Sequence, residues 1–248
     1  MNIIVCVNHV PDTETKVRVG SDGRTLEKSG VNWMLSPYDE FAVEEALRTK
    51  EKAGGQVTAI SLGGDAHKET LRKALAMGVD KAVLLKDENV RDSFSVGHAL
   101  ANAAQSMNPD ILFFGKQSID YNDEQVPGIV AELLGWPSVS VVVKMEILGG
   151  KIVCEREIEG GHEVVEASLP AVIAAQKGLN EPRYPSLKGI MAAKTKVIEE
   201  KQPPTVPNLV EVLEMRKPEQ KPPGRIVGTD ASAVPELVRL LHEEAKVI

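Results

Sequence analysis

Four times along the chain, a short apolar run leads through a polar exit into a helix-length amphipathic segment. The runs are "NIIVCV" (2–7), "QVTAISLGG" (56–64), "KAVLL" (81–85) and "DILFFGKQ" (110–117). An apolar run this short, without alternation, suits a strand buried on both faces, as in a parallel sheet. The segments that follow are "SPYDEFAVEEALRTKEKAGG" (36–55), "DAHKETLRKALAMGVD" (65–80), "DSFSVGHALANAAQSM" (92–107) and "NDEQVPGIVAELLGW" (122–136). Strands alternating with helices of this length are βαβ units. Their right-handed crossovers build a parallel sheet covered by helices on both faces.

Local signals refine this. Ser36 is placed to cap the first helix, with Pro37 at its first position and Asp39 completing a capping box. Val43, Ala46 and Leu47 share one face, Glu44 can pair with Arg48, and Gly54–Gly55 end the helix. Asp65 can cap the second helix and Gly78 stop it. "KVRVGSDGRTLE" (16–27) reads as a small exposed hairpin. After Trp136-Pro137 the pattern changes: residues 138–175 are strand-like runs divided by Gly-Gly pairs, expected to extend or flank the sheet as antiparallel strands. Past Ala193 the chain is rich in proline and charge and cannot form its own core. It ends on "DASAVPELVRLLHEEAKVI" (230–248), where Val234, Leu237, Val238 and Leu241 share a helical face. The division expected is an α/β domain over 1–193 and an arm over 194–248 that docks on its own domain or on another chain.

A net charge of −7 argues against a general nucleic-acid binder. No apolar run is long enough to span a bilayer. The opening residues read as a strand rather than a leader. Two cysteines in strand-like runs do not make a disulfide framework, which suggests a reduced, cytoplasmic protein. None of the five histidines is spaced as a metal ligand, and no nucleophile elbow is present. The missing catalytic set favours a binding or carrier subunit over an enzyme acting alone.

In a parallel α/β sheet, ligands sit at the carboxyl ends of the strands. Four loops leave such ends: Asn8–Asp12, Leu62–Asp65, Lys86–Asp92 and Gly115–Gln125. The last, "GKQSIDYNDEQ", brings a glycine, a lysine and polar groups to a helix N-terminus, which suits an anion such as a nucleotide phosphate. The same residues also fit an ordinary capped loop, with Asn122 as cap and Gln125 as its box partner. The segment "LNEPRYPSLKGIMAAKTK" (179–196) is unusual for a loop: rigid, basic and carrying Leu187.

That segment, together with "GKQSIDYNDEQ", "SPYDEFAVEEALRTKE", "ALAMGVDKAVLL" and "EREIEGG" in order, resembles the β subunit of the electron transfer flavoproteins over nearly the whole chain. The resemblance implies a Rossmann-like nucleotide-binding fold shared with adenine-nucleotide hydrolases. It also implies a heterodimer with an α subunit that holds most of the FAD, and a structural AMP in this chain. Electrons would come from acyl-CoA-type or other dehydrogenases and leave to an acceptor such as a membrane quinone oxidoreductase. The chain would have no turnover of its own.

Carried over by position, the nucleotide site would use Cys6, Ser36, Pro37, Tyr38, Asp39 and Leu62. Its phosphate end would use Gly115, Lys116, Gln117, Ser118, Ile119, Asp120, Tyr121, Asn122, Asp123, Glu124, Gln125 and Val126. Leu187 would enter a dehydrogenase pocket, flanked by Tyr184, Lys188, Ile190 and Met191. Pro182 and Pro185 would stiffen the loop, and Lys188, Lys194 and Lys196 would steer acidic surfaces. The loop departs from the family's Asn-Gln-Thr run, reading Glu124-Gln125-Val126, and Thr13 stands where a flavin-touching tyrosine is common. An altered or empty site and a second FAD in place of AMP, as in the electron-bifurcating branch, are the alternatives. A stand-alone hydrolase-type enzyme is the alternative of another class.

Overall fold

The computed structural model describes residues 1–221 and 223–248. The apolar runs form β1 (Asn2–Cys6), β4 (Gln56–Gly63), β5 (Lys81–Lys86) and β6 (Ile111–Gly115). Two short strands, β2 (His9–Pro11) and β3 (Trp33–Leu35), pair antiparallel beside the main sheet. The helices are α1 (Pro37–Ala53), α2 (His67–Met77), α3 (Ser93–Met107) and α4 (Gln125–Leu134). Next come β7 (Ser138–Leu148), β8 (Lys151–Ile158), β9 (Gly161–Ser168) and β10 (Ala171–Ala175). The chain continues through α5 (Leu187–Thr195), β11 (Ile198–Lys201) and α6 (Val234–Arg239).

The nine-stranded sheet runs β11-β5-β4-β1-β6-β10-β7-β8-β9. Its pairings are parallel from β11 to β7, and β8 and β9 add antiparallel strands, as the change of pattern after residue 137 predicts. Successive residues of β1 face opposite layers. Ile3 and Val5 pack with α1 and α2, while Ile4 and Cys6 pack with α3 and α4. Ile3, Ile4, Ile60, Leu112 and Phe113 are fully buried. Each such side chain contributes roughly 1.5–3 kcal/mol of hydrophobic stabilisation, and truncating Phe113 to alanine costs about 3–5 kcal/mol. The hairpin over 16–27 is present, closed by a bridge between Val19 and Leu26.

Several local expectations are corrected. Ser36 precedes α1 but its side chain makes no capping bond, and Asp39 is used elsewhere. Asp65 does not cap α2; its carboxylate pairs with Lys68 at 2.6 Å and Lys86 at 3.0 Å. Asn122 does not cap α4. It takes up left-handed backbone and accepts from the Gln117 amide, while Asp123 accepts from the Gln125 N–H at 2.8 Å. Half of the segment over 179–196 is helix: α5 starts at Leu187, capped by Ser186 Oγ, which accepts from the Gly189 N–H at 3.0 Å.

The final helix is shorter than its apolar face suggests, changing to a wider turn over Leu240–Glu244. Val234, Leu237 and Val238 remain exposed rather than docked on the domain. The arm's first half is fastened. The Leu209 and Val210 N–H groups donate to Asp92 at 2.6 and 2.9 Å, and the Met215 N–H donates to the Gly23 carbonyl at 2.8 Å.

Candidate functional site

From β1 the chain steps outward through β4 to β5, then returns to place β6 on the other side of β1. That reversal opens a crevice beyond the carboxyl ends of β1 and β6. Asp39 closes its floor. One carboxylate oxygen accepts from the Asn8 N–H at 2.8 Å, just past β1, and the other from the Gly115 N–H at 3.0 Å, ending β6. Burial pushes the Asp39 carboxyl up to about 7 even though both N–H groups oppose the shift. A Cβ on Gly115 would lie 2.5 Å from an Asp39 oxygen, so only glycine lets this approach happen.

Around this staple lie most of the expected nucleotide residues. Cys6 is buried, and burial followed by the Asp39 charge pushes its thiol far above the usual range, so it serves as packing rather than as a nucleophile. Ser36 is fully buried, and its hydroxyl finds no hydrogen-bond partner among the described residues. A buried hydroxyl without a partner is unusual in a fold and calls for an explanation. Lys116 lies over the Tyr38 ring, 5.3 Å from its centre, with its ammonium 3.7 Å from Glu124. Leu62 is half-buried at the end of β4.

The loop over 116–124 is folded on itself. Ser118 and Asp123 exchange main-chain bonds at 2.8 and 3.2 Å, and Asp120 accepts from the Tyr121 N–H at 3.0 Å. Asp120 also receives the Ser118 hydroxyl, and Asp123 that of Ser93. At the start of α4 the Gln125 N–H is taken by Asp123 and Pro127 has none to give, which leaves the Val126 N–H and Lys116 as donor groups at this end of the loop. The loop at this end carries Asp120, Asp123 and Glu124 beside the single cation Lys116, an acidic setting for an anion.

A second cluster adjoins it. His9 Nδ1 sits 2.8 Å from Thr70 Oγ1, and its ring stacks on Trp33 at 5.1 Å. The His67 ring lies 5.1 Å from that of His9 and fills the space where a Cβ on Gly63 would stand. Burial, with the charge of His9 adding to it, pulls His67 down to about 4, so it is neutral at physiological pH.

The 179–196 segment is tied to the same helix, α1, from its second turn onward. Asn180 donates to the Phe41 carbonyl at 3.0 Å and to Glu45 at 2.9 Å. Arg183 grips Glu44 with Nε at 2.8 Å and Nη2 at 3.0 Å, and Glu51 with Nη1 at 2.6 Å. Burial alone would raise the Glu44 carboxyl, but its bonds to Arg183 and Arg48 hold it below the usual range. Leu187, Tyr184 and Met191 point into solvent, with Leu187 84% exposed. Lys196 is held in place by its bond to the Val79 carbonyl at 2.7 Å, which leaves its charge intact.

Asn8, Glu44, Glu45 and Arg183 escaped the reading of the sequence as site residues. One signal was available: Glu44 and Glu45 lie between Val43 and Ala46 on a core-facing helix, so at least one must be buried and need a partner.

The sheet order and its crevice place the chain among the doubly wound α/β proteins, whose ligands sit at the switch point. Among the described residues no acid or thiol cluster is arranged to hold a metal, and no helix is long and apolar enough to cross a membrane. The family described as electron transfer flavoprotein domain matches residues 24–206. A Syntrophomonas wolfei electron transfer flavoprotein subunit beta is 42% identical over 96% of this chain and 92% of its own length. The Bacillus subtilis subunit beta is 39% identical, with both chains fully covered. A mitochondrial subunit beta of Arabidopsis thaliana is 37% identical, again over both full lengths. The chain belongs to the electron transfer flavoprotein β-subunit family.

Proposed function

We propose that this chain is the non-catalytic half of a heterodimeric electron carrier. It pairs with an α subunit that holds most of one FAD, and it presents the Leu187 face to dehydrogenases. The flavin supplies the redox chemistry; this chain supplies shape, spacing and a docking surface. The observation that carries the reading is the Leu187 patch, an apolar group left in water on a segment fixed by ion pairs to α1, one of them to the buried Glu44. A monomer gains nothing from holding leucine, tyrosine and methionine rigidly outward, whereas a docking face does.

A well-buried leucine contributes roughly 1.5–3 kcal/mol, enough for a transient contact. In the heterodimer, Leu187→Ala is expected to raise the dehydrogenase concentration at half-maximal flavin reduction roughly tenfold to a hundredfold. Unchanged delivery from every dehydrogenase tested would remove the docking role.

The crevice is read as an AMP site. The orphaned Ser36 hydroxyl and the Tyr38–Lys116 wall support the nucleoside end, with the phosphate directed to Lys116 and the start of α4. Acid extraction of the purified heterodimer, with nucleotides separated by chromatography, is expected to release one AMP per FAD. Two FAD would assign the chain to the electron-bifurcating branch, and FAD with no second nucleotide would sink the AMP assignment.

A further inference from the structure

Resting on the docking reading above, we infer that Arg183 and Arg72 are positioning residues: they fix the Leu187 face from both sides before any partner arrives. The prolines of this segment limit its backbone, but they do not attach it to anything. Attachment comes from two cations on opposite flanks.

Upstream, Arg183 reaches two carboxylates of α1 with its fork, Glu44 and Glu51, and its own N–H donates to Glu44 at 3.1 Å. Glu44 is nearly fully buried while Arg183 is partly exposed, so this pair is screened less than a pair exposed on both sides, whereas the Glu51 contact lies at the surface. Asn180 adds a second tether to α1 three residues earlier. Downstream, Arg72 of α2 donates to the Ala193 carbonyl at 2.5 Å and also to the Lys196 carbonyl. These carbonyls lie at the end of α5, where a cation satisfies the open acceptors.

Between the two clamps α5 lies flat on α2. A Cβ on Gly189 would overlap the Ala76 carbonyl oxygen, so glycine sets the depth of that contact. Leu187, Ile190 and Met191 are exposed between the clamps. A face built this way docks as a rigid body, and the ordering entropy that a free loop would lose on binding has already been spent in folding.

The test uses the α–β heterodimer, a flavin-dependent acyl-CoA dehydrogenase as the probe partner, and limited trypsin digestion as a partner-free readout. Arg183→Gln is expected to expose Lys188 to trypsin several-fold faster. It should raise the half-saturating dehydrogenase concentration several-fold, with the rate recovering at saturation. In a Leu187→Ala background the same change should add less than twofold, because the side chain it positions is already gone. Gly189→Ala, which keeps every charge, should reproduce both effects if Arg183→Gln impairs assembly.

Equal effects of Arg183→Gln with and without Leu187 would overturn the inference, as would faster digestion with unchanged half-saturation. If Leu187→Ala itself changes nothing, the docking reading has failed, and digestion alone decides whether the clamp holds the segment. Unchanged cleavage at Lys188 would then sink the clamp as well.

Discussion

The segment over 179–196 and the arm over 202–248 both leave apolar side chains in water, but they do so on different supports. Leu187 stands on a short helix held by Arg183 on one flank and Arg72 on the other. In the arm, Leu209, Val210, Leu213 and Ile226 lie on extended chain, fastened near its start at Asp92 and Gly23, and the chain ends in a short exposed helix. A rigid exposed apolar group suits a partner that comes and goes, since each encounter repeats the same geometry. An extended apolar ribbon suits a permanent companion, because ordering it once against a large surface need not be undone.

The largest test of this contrast removes the arm. A chain ending at Lys201 keeps the whole sheet and is expected to fold, yet to lose co-purification with the α subunit altogether. Arg183→Gln, in contrast, should retain the heterodimer. If the truncated chain still brought down its partner, the arm's role as the lasting interface would be wrong.

The His9–His67 cluster and the Asp39 staple give a separate test, since their side chains form no bond to either segment. His67 is neutral in the fold with its proton affinity lowered to about 4 from 6.5, so the unfolded chain binds the extra proton first as pH falls. Its contribution to stability is complete above pH 6.5 and is lost as pH drops towards 4, a change of about 3 kcal/mol at most. His67→Phe should flatten that acid limb, measured as denaturant midpoints against pH, without altering dehydrogenase half-saturation. Asp39→Asn replaces an acceptor of the Asn8 or Gly115 N–H by a donor and should cost about 1–3 kcal/mol in denaturant titrations. The smallest effect is expected at Arg24, whose pair with Glu211 on the arm is exposed on both sides. Arg24→Ala should change stability by less than about 1 kcal/mol and leave heterodimer yield intact.

The parallel sheet was legible because burial on both faces writes itself into consecutive residues: "NIIVCV" and "ILFFG" have few other ways to fold. The switch point between β1 and β6 followed from it, whereas an outward role for Leu187 came only from the family resemblance. The polar ties were not legible. Asp39 has the spacing of a capping-box partner to Ser36, but its acceptors are used by N–H groups 31 and 76 residues away in sequence. Arg183 finds Glu44 and Glu51 at separations of 139 and 132 residues. Local spacing reports on local partners, and these carboxylates serve distant ones. For the same reason the prolines drew attention as the stiffening device, while the arginine between them supplied the attachment.

Helix α1 carries the Asp39 staple in its first turn and the Glu44, Glu45 and Glu51 anchors further along. Seventeen residues make an unbroken rod about 25 Å long. It sets the spacing between the Asp39 staple and the anchors of the Leu187 segment. A hinge engineered into the middle of that rod would let its two ends move independently, freeing the Leu187 segment from its fixed place on the sheet while each end kept its own bonds.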